Sequence, residues 1–249
     1  MSSLGVVGAR GRLGRRVVAA AEAAGVPVVM TAGQDGWVGR PPDVLVDATP
    51  AAALPDVIAY CRRHRTPLLS AGSGLGPADR AGLATLAAEV PVLRAENLSI
   101  GHHLHVEAVR LLAPLWSALR APDTGEVTVL DRHPSYKVDR PSATALALRD
   151  CVTGAATAPV EVAVDSVRAG LPVSEHEVRL TLPDEEVVVG HRVRDWAAYG
   201  AVAVRAARWL AARPLPGRWT IHDFYRSLAG APPVDHPPVD HPLVVRGTR

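Results

Sequence analysis

The chain has 249 residues, 48% of them hydrophobic and 21% charged, enough to bury a core without disulfide staples. Its formal net charge of +2, carried with no basic block, excludes a surface made to coat nucleic acid. No apolar run approaches the ~20 residues of a membrane span and the first residues lack a secretory pattern, so a cytoplasmic protein is expected.

Leu4 to Gly8 is a short apolar run ending in glycine, and Arg12 to Ala24 has the length and alanine content of a helix closed by Gly25. Val26 to Thr31 and Val44 to Thr49 are apolar runs of strand length, the second leading into a helical stretch from Ala51 to His64. Pro67 to Ala71, Pro77 to Glu89 and Pro91 to Arg94 repeat the alternation. Strands separated by helices predict an α/β protein with a parallel, doubly wound sheet. From Gly101 the pattern changes: Gly101 to Leu119 reads as a long helix, Glu126 to Arg132 as a strand, and Ser142 to Cys151 as a helix. Val160 to Arg168, Glu175 to Leu182 and Glu185 to Val193 alternate, with a hairpin turn at Pro183-Asp184, so this half is expected to be α+β with a mixed or antiparallel sheet. Trp196 to Ala212 is helical again, and Trp219 to Leu228 is a short strand and helix. Ala231 to Arg249, where Val-Asp-His-Pro occurs twice, is expected to be a surface or disordered tail.

The turn Gly8-Ala9-Arg10-Gly11-Arg12-Leu13-Gly14 stands between the first strand and the first helix. Missing Cβ atoms let backbone approach a pyrophosphate there, and the helix start offers N–H donors and positive dipole, which suits a dinucleotide. An NAD site adds a carboxylate to the ribose ~20 residues on, whereas an NADP site offers arginine to the 2′-phosphate. Asp35, in Gly33-Gln34-Asp35-Gly36, is the nearest acid and reads equally as a turn residue; Arg12 could meet a 2′-phosphate or stand in solvent. These residues leave NADH and NADPH both open.

Asp131 to Ala145 joins a predicted strand to a predicted helix and holds His133 and Lys137, with Pro134 and Pro141 keeping the connection extended. Ser142, Ala143 and Thr144 open the helix, where hydroxyls and free N–H groups suit a carboxylate. Of 27 basic residues, Lys137 is the single lysine. A compact ammonium donates and surrenders a proton where arginine does not, which points to acid–base work at that place.

The segment resembles the signature of the 4-hydroxy-tetrahydrodipicolinate (dihydrodipicolinate) reductase family, roughly E-x-H-H-x-x-K-x-D-A-P-S-G-T-A. Gly8 to Gly14 resembles the family's G-A-x-G-R-M-G, Asp47-Ala-Thr-Pro50 its D-F-T-x-P, and Asn97 to Gly101 its N-F-S-I-G. Arg168-Ala-Gly170, Glu175-His176, His191 and Ala206 to Leu210 also correspond, so the resemblance spans nearly all the chain before the tail. It implies a Rossmann domain of residues 1–104 completed by 196–249, with an inserted α+β substrate and tetramerisation domain of residues 105–195. It also implies hydride transfer from NADPH or NADH to a small cyclic imine or enamine carboxylate of the diaminopimelate and lysine pathway. His133 corresponds to a proton donor and Lys137 to a lysine that binds and protonates near the substrate. Ser142, Ala143 and Thr144 correspond to a clamp on a substrate carboxylate, while Thr49, Ala71 and Ser73 fall on cofactor loops. A homotetramer is implied as well.

The departures bear on the substrate. Pro134 stands for the family's second histidine, Ala143 for the glycine of S-G-T, Trp196 for an arginine after His191, and Ala71-Gly72-Ser73-Gly74 for G-T-T-G. A pocket that loses a donor and gains bulk suits another ligand, so a divergent paralogue acting on a related ring acid, or a dinucleotide-binding protein without turnover, stands beside the lysine-pathway reaction. His102, His103 and His105 follow Gly101 with Glu107 nearby. Adjacent helical residues point ~100° apart and metal pairs prefer i and i+4, so no metal site is expected. His176 and His191 are expected to be sheet histidines that could meet across a hairpin, Arg62-Arg63-His64-Arg65 a helix C-terminus, and Cys61 and Cys151 reduced, buried thiols.

Overall fold

The apolar runs of the first half become strands of one sheet in a computed structural model that describes residues 2–121, 124–170 and 173–230. In chain order the elements are β1 (Leu4–Val7), α1 (Arg12–Ala23), β2 (Val28–Gly33), β3 (Gly36–Gly39), β4 (Val44–Asp47), α2 (Leu54–His64), β5 (Leu68–Ser70), α3 (Pro77–Ala87) and β6 (Pro91–Arg94). There follow α4 (Ile100–Leu119), β7 (Val127–His133), α5 (Ala143–Ala155), β8 (Val162–Arg168), β9 (Ser174–Thr181), β10 (Glu186–Val193), α6 (Ala197–Ala211), β11 (Gly217–Thr220) and α7 (Ile221–Leu228). The Val-Asp-His-Pro repeats lie outside the described residues.

The first sheet has the order β11-β6-β5-β4-β1-β2-β3 and is parallel except for β3. Its central strands are apolar at consecutive positions because both faces are covered. Leu4, Val6, Val44 and Val46 pack with residues of α1 and α6, whereas Val7, Leu45 and Leu68 pack with residues of α2 and α3. Each such fully buried side chain stabilises the fold by about 1.5–3 kcal/mol. The edge strand β3 departs from the expected pattern. Gly36-Trp-Val-Gly39 is short and exposed throughout, so its extended form comes from antiparallel pairing with β2 rather than from apolar content.

The second sheet has the order β10-β9-β7-β8, with β7 and β8 parallel and the other pairs antiparallel, a mixed sheet as expected. Along β7, Val127, Val129, Asp131 and His133 are buried and the residues between them are half-buried, so one face is packed and the other more open. Val127, Val129, Val178 and Leu180 meet Val106, Val109 and Trp116 of α4 and Leu148 and Val152 of α5.

The chain then returns to the first sheet. α6 lies so close to α1 that a Cβ on Gly200 would stand 2.3 Å from the Arg16 carbonyl oxygen, and β11 adds to the outer edge of β6. The strand order reverses between β1 and β4. In sheets of this kind ligands bind outside the carboxyl ends of the strands at that reversal.

Candidate active site

The glycine turn sits on that reversal. Gly8 has φ 77°, a left-handed conformation that a side chain disfavours. A Cβ on Gly14 would lie 2.0 Å from the Gly8 carbonyl oxygen, so only glycine lets α1 start this close to β1. Gly11, the N-cap of α1, contributes no side-chain cap, and the first turn carries no acidic residue. The first N–H groups are thereby left for an anion, and the cradle fits a pyrophosphate. Gly14→Ala is expected to cost about 1–3 kcal/mol from overpacking and to weaken dinucleotide binding. A urea midpoint and a dinucleotide Kd both equal to the parent's would refute the role given to this contact.

Two neighbouring loops complete the edge. Thr49 donates its N–H at 3.0 Å and its hydroxyl at 2.5 Å to Asp47 Oδ1, and Pro50 bridges to Ser73 with the Ala51 N–H on the Ser73 carbonyl at 3.1 Å. Burial raises the Asp47 carboxyl above its ordinary value, against the hydrogen bonds from Thr49 and the charge of Arg94. Thr49, Ala71 and Ser73 therefore share one rim with Gly8, whose Cβ position abuts the Ala48 carbonyl oxygen. Leu13 is half-buried against the core. Asp35 is exposed in the turn between β2 and β3 and pairs with Arg10. Arg12 is neither alone in solvent nor free of the other sheet: its guanidinium lies 5.1 Å from the Tyr136 ring and 5.4 Å from the Trp196 ring. These contacts bring the loop after β7 onto the glycine turn.

That loop is organised by one buried carboxylate. Asp131, fully buried, accepts from Ser142 Oγ at 2.8 Å, the Ser142 N–H at 3.0 Å, Ser166 Oγ at 3.0 Å and Arg168 Nη2 at 2.8 Å. Burial alone would raise its pKa, but hydrogen bonds from His133, His176, Arg168 and Ser142 hold it far below the carboxylate range. Arg168 also donates to the Asp139 carbonyl and so ties the loop down. His133 has Nδ1 3.2 Å from the Val173 carbonyl and Nε2 3.0 Å from Asp131 Oδ1 and 3.3 Å from His176 Nε2. With Nδ1–H given to the carbonyl, Nε2 is a bare lone pair in the neutral ring and a donor to Asp131 in the protonated one. Burial lowers the His176 pKa, and the charges of His133 and Lys137 press the same way against the pull of Asp131.

Lys137 has a partly exposed side chain whose Nζ donates to Asp139 Oδ1 at 2.8 Å. The ammonium and the His133 imidazole thus hold different carboxylates, Asp139 and Asp131. Ser142 is the N-cap of α5 and its hydroxyl, buried, serves the Ala145 N–H and Asp131. Exposed Ala143 and half-buried Thr144 stand beyond it at the open helix start. Reasoning from sequence named Asp131 and Arg168 without giving them a role and passed over Ser166, although the three anchor the arrangement. The available signal was an acid two residues before His133 on the packed face of β7, with an arginine ending the parallel neighbour strand.

A glycine cradle on a doubly wound sheet, met by the Lys137 loop that follows a strand ending in His133, fits the class of two-sheet NAD(P)H-dependent oxidoreductases, to which its family assigns the chain. Residues 28–98 match the family described as dihydrodipicolinate reductase, N-terminus, and residues 101–224 match dihydrodipicolinate reductase, C-terminus. The chain belongs to the dihydrodipicolinate reductase family. It is 30% identical over 265 residues to the 4-hydroxy-tetrahydrodipicolinate reductase of Alkalilimnicola ehrlichii, covering 88% of this chain and 97% of that one. It is 30% identical over 241 residues to the enzyme of the same name from Acidiphilium cryptum, covering 88% and 96%. Among solved structures, dipicolinate-bound dihydrodipicolinate reductase from Paenisporosarcina sp. TG-14 shares the fold with a TM-score of 0.69 at 14% identity, over 88% of this chain and 97% of that one. The glycine turn lies ahead of the matched N-terminal segment, so its assignment rests on its own geometry.

Proposed function

We propose that this chain reduces 4-hydroxy-tetrahydrodipicolinate, a small cyclic carboxylate, at the seam between its two sheets. The contact of Arg12 with Tyr136 carries the reading, because it sets the Lys137 loop over the turn that fits a dinucleotide. Residues 1–104 and 196–249 would hold the dinucleotide and 105–195 the substrate. Gly8, Arg10, Gly11, Arg12, Leu13 and Gly14 would cradle the pyrophosphate end, Thr49, Ala71 and Ser73 would line the nicotinamide rim, and Asp35 would border the adenosine ribose. When bound, the reduced dinucleotide supplies the hydride.

The chain's own groups supply the rest. Lys137 Nζ exchanges Asp139 for the substrate and gives the proton that completes reduction of the ring. His133, whose Nε2 lies against Asp131, is the second candidate proton donor. The N–H groups of Ala143 and Thr144 and the Thr144 hydroxyl take a substrate carboxylate at the start of α5, where the dipole favours an anion. Ser142, occupied by Asp131, shapes that clamp from behind.

The more open face of the second sheet, with Val167 39% and Val188 46% exposed, supports assembly into a homotetramer; light scattering on the eluted protein reads four copies if so. No helix of the described residues is long and apolar enough to cross a membrane, and two unpaired cysteines accord with a cytoplasmic setting. The deciding experiment is nicotinamide oxidation with 4-hydroxy-tetrahydrodipicolinate, together with growth of a diaminopimelate-requiring strain carrying this chain. Turnover with rescue supports the proposal. Dinucleotide binding without turnover on this substrate, and no rescue, overturns it in favour of another ring acid or a non-catalytic role.

A further inference from the structure

Three imidazoles converge outside the site described above. His102 and His105 lie one turn apart on α4, and His191 stands on β10, with one ring nitrogen of each within 4.8 Å of the other two. His102 is 8% and His105 4% exposed, while His191 is half-buried. Ser99, the N-cap of α4, places Oγ 3.1 Å from His191 Nε2 while accepting the His102 N–H, which seats the ring against the helix start. Gly101 leaves room for it, since a Cβ there would stand 2.6 Å from His191 Cδ2. Among the described residues, His102 Nδ1, both ring nitrogens of His105 and His191 Nδ1 meet no partner with hydrogen-bond geometry. Burial lowers the His105 pKa to about 4, and the charges of His191 and His176 press the same way against a weaker pull from the Val189 backbone, so the ring is neutral.

We propose that His102, His105 and His191 bind one divalent transition-metal ion of the zinc class, which clasps α4 to β10. Neutral imidazole is a preferred donor for zinc, cobalt, nickel and copper. Buried ring nitrogens that find no hydrogen bond are expected to be paired by something, and the nitrogen that His105 brings to this cluster is one of them, since neither of its two meets a partner among the described residues. An ion with metal–nitrogen bonds of about 2.0–2.1 Å would draw the three nitrogens together by side-chain torsion, and three protein ligands leave a further position for water. A His-x-x-His pair on one helix face completed by a residue from a strand is a geometry that spacing along the helix alone does not reveal. His102 also borders a cleft lined by Glu96, Asn97, His103 and His222.

Two other groups of potential ligands converge, and both are already engaged. His103 and His222 share a hydrogen bond of 3.0 Å and Glu107 holds Arg110 at 2.8 Å. The carboxylate beside His133 and His176 is saturated by Arg168, Ser142 and Ser166. The proposal stands independently of the reductase assignment, because its readout is metal binding rather than turnover.

The test uses the full chain without an affinity tag, stripped with a chelator and titrated with Co(II). One equivalent per chain should bind with visible ligand-field absorption, be displaced by Zn(II), and raise the melting temperature as the ion concentration rises. His105→Leu and His102→Gln, each shown to be folded by circular dichroism and by retained dinucleotide binding, should lose at least about tenfold in Co(II) affinity. His222→Gln should keep the parent affinity. A parent protein that binds no Co(II) tighter than about 0.1 mM, or affinity that survives in both His105→Leu and His102→Gln, overturns the proposal, as does loss in His222→Gln alone.

Discussion

Lys137→Ala is expected to lower kcat by about two to four orders of magnitude while leaving dinucleotide affinity within about twofold, the span that a positioned general acid contributes. The side chain is the one ammonium of the chain apart from its N-terminus, and it lies in the loop that Arg12 joins to the glycine turn. Its ion pair with Asp139 is partly exposed, so exchange for a substrate carboxylate costs little. Lys137→Arg separates charge from proton supply: substrate KM should stay near the parent value while kcat falls as in the alanine variant, since guanidinium does not surrender its proton. Stopped-flow oxidation of the reduced nicotinamide and fluorescence titration of the same dinucleotide measure the two quantities. Equal kcat in parent and Lys137→Ala would remove this residue from the chemistry.

The second large effect falls on stability. Asp131→Ala leaves the Arg168 guanidinium, whose side chain is wholly buried, without its carboxylate, and breaking a buried pair from one side costs about 3–5 kcal/mol. For a chain of this size that lowers the melting temperature by about 6–20 °C. The loss should reach catalysis too, because Asp131 also orients His133 and the Ser142 cap. The acid dependence has a definite sign. A carboxyl held below its unfolded value binds its proton more readily in the unfolded chain. Its contribution is therefore complete above the unfolded carboxylate range near pH 4 and is lost as pH falls through the lower folded value. Asp131→Asn should flatten that acid limb of the melting curve as well as lowering its plateau. A limb of unchanged steepness would show that other carboxyls govern acid unfolding.

The two results are separable by design. Lys137 stands on the rim, so its loss should leave the stability within about 0.5 kcal/mol of the parent's, as surface substitutions do. Asp131 works from beneath, and its loss should move both melting and turnover.

Periodicity along the chain determined the doubly wound sheet and a second half of α+β type, because strand-length apolar runs and glycine-closed alanine helices are local signals, while the return of the C-terminal helix to the first sheet was implied only by the family resemblance. Motif spacing likewise marked the glycine turn and the segment from Asp131 to Ala145, where the chemistry is compressed into neighbouring residues. Only the tertiary structure decided that β3 exists, since Gly36 to Gly39 gains its form from pairing with β2. It alone showed Ser142 drawn to Asp131 rather than standing free, and Arg12 lying on Tyr136 and Trp196. It alone brought His191 to His102 and His105. The β2–β3 pairing is local but carries no apolar signal, whereas the other partners lie farther apart in the chain and their meeting is set by strand register and helix packing, which no single segment encodes.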